Sequence, residues 1–187
     1  MKVNLYDFDG TIYDGNSAID IFIFCIKKNK KCLLVLPKLI KDYFLYYLGK
    51  KNKTEVKSTY FSFVKYFDNI DSVIRDFWYL NNYKIKKFYL EKDHKNDIII
   101  SATPEILLSP ICKELEVKDL IGSVMDKNSG KFLRNNCKGK EKVIRLKEKY
   151  PKAKVLESYS DSFSDQPIFD LADKAYLVKK DRIIKLK

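Results

Sequence analysis

The sequence predicts an α/β fold: a parallel sheet with helices on both faces, and a block of helices inserted after the first strand. Three observations carry this. Residues 1–6 form a short apolar run that stops at Asp7-Phe8-Asp9-Gly10-Thr11. From about Ser17 to Asp93 apolar residues recur at three- and four-residue intervals, the helical period. From Asn96 onward short β-type runs alternate with helical segments, the pattern of βα units joined by right-handed crossovers.

A first strand carrying Val3 and Leu5 delivers Asp7 and Asp9 to its C-terminal end. Side chains alternate along a strand, so the two carboxylates share a side. Gly10 permits a tight turn beside them. In the helical block, Ile19, Phe22, Ile23 and Ile26 mark one stripe, Leu39, Tyr43 and Tyr46 a second, Tyr60, Phe63, Val64 and Phe67 a third, and Val73, Phe77 and Leu80 a fourth. Four or five amphipathic helices follow, broken near Lys30, Gly49 and Asn69. Such stripes read as packing core. Asp97-Ile98-Ile99-Ile100 ends in an apolar run of the kind buried in parallel sheets, and Pro104-Glu105 opens a helix. Leu120–Val124 reads as a strand, and residues 139–150 as a helix with Val143 and Leu146 inward. Val155-Leu156 leads a strand to Asp161, Ala175–Val178 forms another, and Arg182–Leu186 a last edge strand. The expected organisation is an α/β core of residues 1–13 and 97–187, with a helical cap of residues 14–96.

Composition narrows the function classes. A chain of 187 residues that is 45% hydrophobic buries a substantial core, which excludes wholesale disorder. The net charge of +12 would draw in anionic substrates. Nearly all of it is lysine, however, the arginines being Arg75, Arg134, Arg145 and Arg182. Nucleic-acid readers lean on the bidentate fork of Arg, so no nucleic-acid partner is expected. Cys25, Cys32, Cys112 and Cys137 show no CxxC or zinc spacing and read as reduced core thiols. No charged segment followed by an apolar one precedes the first strand. Leu33–Leu48 is interrupted by Pro37, Lys38, Lys41 and Asp42 and is too short to span a bilayer. A cytoplasmic location without stable membrane insertion is the expectation.

The later strand ends offer groups suited to a phosphate site. Ser101 and Thr103 precede a helix start, whose unpaired N–H groups attract anions. Lys138-Gly139 sets a cation before another helix, and Asp161 and Asp165 follow a further strand. Singly, each reads as a cap, a solvated lysine or a turn. Carboxylate, hydroxyl, ammonium and carboxylate in that chain order form a set. Paired carboxylates can bind a hard cation or attack an electrophile while one moves a proton.

The set resembles the four motifs of the haloacid dehalogenase-like (HAD) superfamily of phosphohydrolases, over essentially the whole chain. Asp7–Thr11 matches the DxDGT first motif, Ile99–Thr103 the second, Lys138 the third and Asp161–Asp165 the fourth. The helical block is similar to the C1 cap of subfamily IB, which contains phosphoserine phosphatase. The resemblance implies a Rossmann-like core and a Mg²⁺-dependent phosphatase that hydrolyses a small phosphomonoester through an aspartyl-phosphate. It implies Asp7 as nucleophile and Asp9 as acid and base. Mg²⁺ would bind Asp7, the backbone carbonyl of Asp9, and Asp161, with Asp165 orienting the metal site from behind. Phosphate contacts would come from Gly10, Thr11, Ser101, Ala102 and Lys138, with Lys138 stabilising transition-state charge. Lys142, one helical turn on, is the alternative to Lys138. The Glu that meets the substrate ammonium in phosphoserine phosphatases corresponds here to Asn16, so a different phosphorylated metabolite is expected. A phosphotransferase using the same phosphoenzyme, and a non-catalytic basic nucleic-acid-binding protein on the same scaffold, stand as the alternatives.

Overall fold

In the computed structural model, which describes residues 1–187, strand β1 (Lys2–Tyr6) turns Val3 and Leu5 to one face of the sheet and Tyr6 to the other. Five more strands complete the sheet: β2 (Asp97–Pro104), β3 (Asp119–Ser123), β4 (Lys154–Ser160), β5 (Lys174–Lys179) and β6 (Arg182–Lys185). Their order is β3-β2-β1-β4-β5-β6. The first five run parallel, whereas β6 pairs antiparallel with β5. Only Lys180 and Asp181 separate β5 from β6, and so short a link can only reverse the chain. The parallel sheet expected from the sequence therefore carries one antiparallel edge strand.

Strand β1 pairs with β2 on one side and β4 on the other. Successive units thus wind away from β1 in opposite directions, and open α/β sheets form a crevice beyond the strand ends at such a point. Asp7 and Asp9 leave β1 there. Ser101, Ala102 and Thr103 lie at the end of β2, and Asp161 directly follows β4.

Between β1 and β2 run α1 (Ser17–Lys28), α2 (Leu36–Tyr47), α3 (Lys53–Phe61), α4 (Ile70–Asn81) and the short α5 (Lys87–Leu90). Short 3₁₀ turns cover 30–35, 62–66 and 82–84. Asparagines punctuate the block. Asn16 accepts the Ile19 N–H, Asn69 accepts the Ser72 N–H, and Asn52 closes a capping box with Glu55.

Helices α6 (Glu105–Glu114), α7 (Lys140–Lys149) and α8 (Gln166–Leu171) cover the sheet. On one face Val3, Leu5, Ile98 and Ile100 pack with Leu146 and Ile168 from α7 and α8. On the other, Tyr6 and Ile99 pack with Leu107, Leu108 and Ile111 from α6, and the same cluster continues into Phe22, Phe63, Phe77 and Trp78 of the helical block. The Trp78 indole N–H donates to the Leu107 carbonyl at 2.6 Å. Phe8, Tyr13 and Phe77 meet its ring edge-on, with centroids 5.7, 5.5 and 4.9 Å away. Each such pair adds roughly 0.5–1.5 kcal/mol beyond its buried area, so the Phe8 and Tyr13 pairs, with the bond to Leu107, tie α4 to the sheet side of the molecule. The two linkers are tied as well: Lys86 N–H donates to Ile12 O and Asp14 N–H to Lys84 O, both at 2.8 Å. All four cysteines are buried and unbridged. No helix is long and apolar enough to cross a membrane.

Candidate active site

Asp7, the first residue past β1, is held by its backbone N–H on the Tyr159 carbonyl at 2.9 Å. Its Oδ1 accepts a hydrogen bond from Lys142 Nζ at 2.7 Å, and the same ammonium donates to Asp165 Oδ2 at 2.6 Å. Asp165 Oδ2 also takes the Ser160 hydroxyl at 2.8 Å. Two carboxylates therefore share one buried ammonium. Burial opposes the charge on Lys142, but Asp7 and Asp165 outweigh it and its pKa is raised. Asp7 is pushed up to about 7: burial strips its hydration, and the pull of Lys142 does not offset this together with the like charge of Asp165 and Asp9.

The structure places Lys142, not Lys138, against Asp7. Gly139, at φ +58°, turns the chain into α7. Lys142 is the third residue of that helix and shares its buried face with Arg145 and Leu146. Lys138 precedes the turn and is exposed at the mouth of the pocket. Helical phase accounts for this placement, because the inward stripe of α7 begins at Lys142.

Asp9 is gripped on both carboxylate oxygens. Oδ1 accepts the Ser17 backbone N–H at 2.6 Å, and Oδ2 accepts the Thr103 hydroxyl at 2.7 Å. Ser17 opens α1, so the positive end of a helix also faces this carboxylate. Thr103 is a positioning residue for Asp9 that sequence reasoning read only as a strand-end hydroxyl.

Ser101 and Ala102 line the pocket, and Ser101 Oγ is oriented by accepting the Thr103 N–H at 3.1 Å. Gly10 and Thr11 do not line it. The Gly10 N–H is already spent within the loop, on the carbonyls of Tyr13 and Gly15 at 3.0 and 2.9 Å. Gly10 instead makes room: at φ +74°, a Cβ there would stand 2.4 Å from Asp161 Oδ2. Thr11 is fully buried with its hydroxyl unpartnered, because the N–H groups of Thr11, Ile12 and Tyr13 all converge on the Phe8 carbonyl and tuck the residue under the turn. Within Asp7–Thr11 the backbone donors left without an acceptor in the chain are those of Phe8 and Asp9. The family resemblance implies the N–H groups of Gly10 and Ala102 for phosphate contact.

Asp161 lines the same pocket, its pKa raised by burial and by Asp165 against the pull of Lys179. No three carboxylates converge as a cage of side chains. Asp9 faces Ser17 and Thr103, and Asp165 faces Lys142 and Ser160. Asp7 and Asp161 remain, and the Asp9 backbone carbonyl accepts no backbone hydrogen bond. Few oxygen ligands with space for water suit a hard divalent cation such as Mg²⁺. A cation would also supply the positive charge that the crowded carboxylates lack.

The pocket holds about 530 Å³, the scale of a small organic ligand. Its far wall comes from α1, α2 and α3: Ile19, Leu39, Tyr43, Lys53, Lys57 and Tyr60. Lys57 reaches across to the core, donating to the Ala102 carbonyl at 2.9 Å and Asn136 Oδ1 at 2.8 Å. Burial lowers its pKa to about 8. Nothing in the sequence marks Lys57 among so many lysines.

The family model described as haloacid dehalogenase-like hydrolase matches residues 5–170. The chain belongs to this family. Among solved structures, this HAD-like chain is similar to a protein of unknown function from Bordetella pertussis Tohama I, with a TM-score of 0.75, 14% identity and coverage of 93% of this chain and 88% of that one. A phosphoserine phosphohydrolase-like protein from Francisella tularensis subsp. tularensis SCHU S4 superposes with a TM-score of 0.58, 16% identity and coverage of 94% and 86%. A probable phosphoserine phosphatase from Vibrio cholerae gives 0.63, 11% identity and coverage of 94% and 55%. At these identities the likeness is one of fold. Protein CicA of Caulobacter vibrioides is 32% identical over 83 residues, 41% of this chain and 37% of CicA's own length.

Proposed function

We propose that this HAD-family hydrolase is a Mg²⁺-dependent phosphatase that cleaves a small phosphomonoester through an aspartyl-phosphate. The observation that carries the reading is the division of labour between two carboxylates in one pocket: Asp7 held on one oxygen by Lys142, Asp9 held on both by Ser17 and Thr103. The unheld oxygen of Asp7 attacks phosphorus while the ester oxygen departs with the proton of Asp9. Asp9 then takes a proton from water, whose oxygen displaces Asp7 and releases inorganic phosphate. The Phe8 and Asp9 N–H groups and Ser101 Oγ hold phosphoryl oxygens, and Lys142 neutralises developing charge. Asp7, Asp161 and the Asp9 carbonyl would hold Mg²⁺, which supplies the charge that screens one anion from the other.

The cap wall bears on the leaving group. Its charged pocket residues are Lys53 and Lys57, and every acidic residue lining the pocket belongs to the core. Asn16 also lines the pocket, while its side chain caps α1. A substrate whose organic part is neutral or anionic fits that wall, and the ammonium of phosphoserine does not. The test is hydrolysis of an aryl phosphate with and without Mg²⁺ by wild type and Asp7→Asn. Metal-dependent turnover lost in the variant supports the reading; equal turnover by both proteins overturns it.

A further inference from the structure

Helix α2 turns an apolar stripe outward. Ile40, Tyr43, Phe44 and Tyr47 recur at the helical period on one face and are 70%, 53%, 64% and 88% exposed, while α2 buries only Leu39 and Asp42. Leu33 and Leu34, in the turn before the helix, and Leu48, after it, are also exposed. This face runs into the catalytic pocket, because Tyr43 belongs to both and Ile19, half exposed on α1, lines the same mouth.

The stretch of chain that carries the stripe is strongly basic. Residues 27–53 hold nine lysines and one acidic residue, Asp42. Asp42 is buried and occupied by Lys51 at 2.6 Å and by the Thr59 hydroxyl at 2.5 Å. The only other ion pair in the segment joins Lys28 to Asp76. Lys38 and Lys41 stand exposed on α2 itself. Exposed tyrosine, phenylalanine and isoleucine on one helical face, within a segment whose lysines mostly lack acidic partners, match the chemistry of an interfacial helix, whose apolar side enters the headgroup boundary while lysines meet anionic lipid.

We propose that the α2 face docks the cap on an anionic lipid surface, peripherally, with the mouth of the pocket turned toward the bilayer. The surface is independent of the catalytic reading. By helical phase Lys41 borders the stripe, and the strongly positive charge of the segment and of the chain favours an anionic lipid surface over a second copy of this chain.

The test is co-sedimentation of the full chain with vesicles of phosphatidylcholine alone and of phosphatidylcholine mixed with phosphatidylserine. Binding is expected only with the anionic vesicles and is expected to weaken as salt screens the lysines. The double variant Phe44→Glu/Tyr47→Glu, outside the pocket, is expected to lower the partition coefficient at least about tenfold through lost apolar insertion. Circular dichroism and the aryl phosphate rate report whether the variant is folded, and Lys38→Glu/Lys41→Glu supplies a second arm should it fail. Absence of binding to anionic vesicles, equal binding to neutral ones, or binding retained by both folded variants overturns the proposal. So does a wild-type dimer that the variants dissociate, which would assign the face to a second copy of the chain.

Discussion

The ammonium of Lys57, on the cap, and the carbonyl oxygen of Ala102, at the end of β2, stand 2.9 Å apart. This contact joins α3 to the end of β2 and sets a positive charge in the pocket that Asp7 and Asp9 also line. Burial brings Lys57 to about 8, so it is charged below that pH and loses its proton above it. KM for an anionic phosphomonoester is expected to rise as pH climbs through about 8. In Lys57→Met that rise is expected to vanish, with KM already raised about tenfold at neutral pH, the scale of one charged hydrogen bond. Steady-state kinetics across the range check both.

Lys142 and Lys138 are separable by substitution. Lys142→Gln leaves Asp7 and Asp165 without their shared cation and is expected to lower kcat by at least about a hundredfold. Lys138→Gln, at an exposed position, is expected to keep kcat within about threefold of wild type. Equal losses in the two variants would put the transition-state charge on the wrong lysine.

Thr103→Val removes one of the two hydrogen bonds that hold the Asp9 carboxylate. Because Thr103 acts through Asp9, the expected effect is a fall of about tenfold in kcat with KM little changed. Thr103→Ser, which keeps the hydroxyl, is expected to restore most of it.

Asp42 is a stability test inside the cap. Burial works against its charge, but the hydrogen bonds from Lys51 and Thr59 prevail and hold its carboxyl below the usual range. A lowered native pKa adds stability that is fully present above the unfolded value and is lost as pH falls toward the native one. Asp42→Asn is expected to cost about 2 kcal/mol at neutral pH by stranding these donors, with the difference from wild type shrinking in acid. Denaturant midpoints at several pH values measure it.

The meeting of Asp7, Asp9 and Asp161 in one pocket was legible because a strand end, a glycine and an alternating pair of carboxylates are local signals. The parallel run of β1 to β5 follows from the βα rhythm, and the breaks near Lys30 and Asn69 coincide with Asn29 and Asn69, which cap what comes next. The failures share a different cause. Lys142 meets Asp7 through the inward phase of α7, which spacing to Gly139 does not reveal. Thr11 was withdrawn from the pocket by the convergence of three N–H groups on Phe8. Lys57 stands 45 residues before Ala102 in the chain, and only packing of α3 on the core joins them. The antiparallel run of β6 depends on a two-residue link whose significance shows once the boundaries of β5 and β6 are known.

Acid-quenched labelling of the protein by a phosphomonoester, followed by mass spectrometry of the phosphorylated peptide, tests the central claim most directly. A Mg²⁺-dependent phosphoryl group on Asp7, labile to hydroxylamine and absent from Asp7→Asn, is the predicted result. Rapid turnover with no label on Asp7, or a label that persists in Asp7→Asn, would contradict the mechanism.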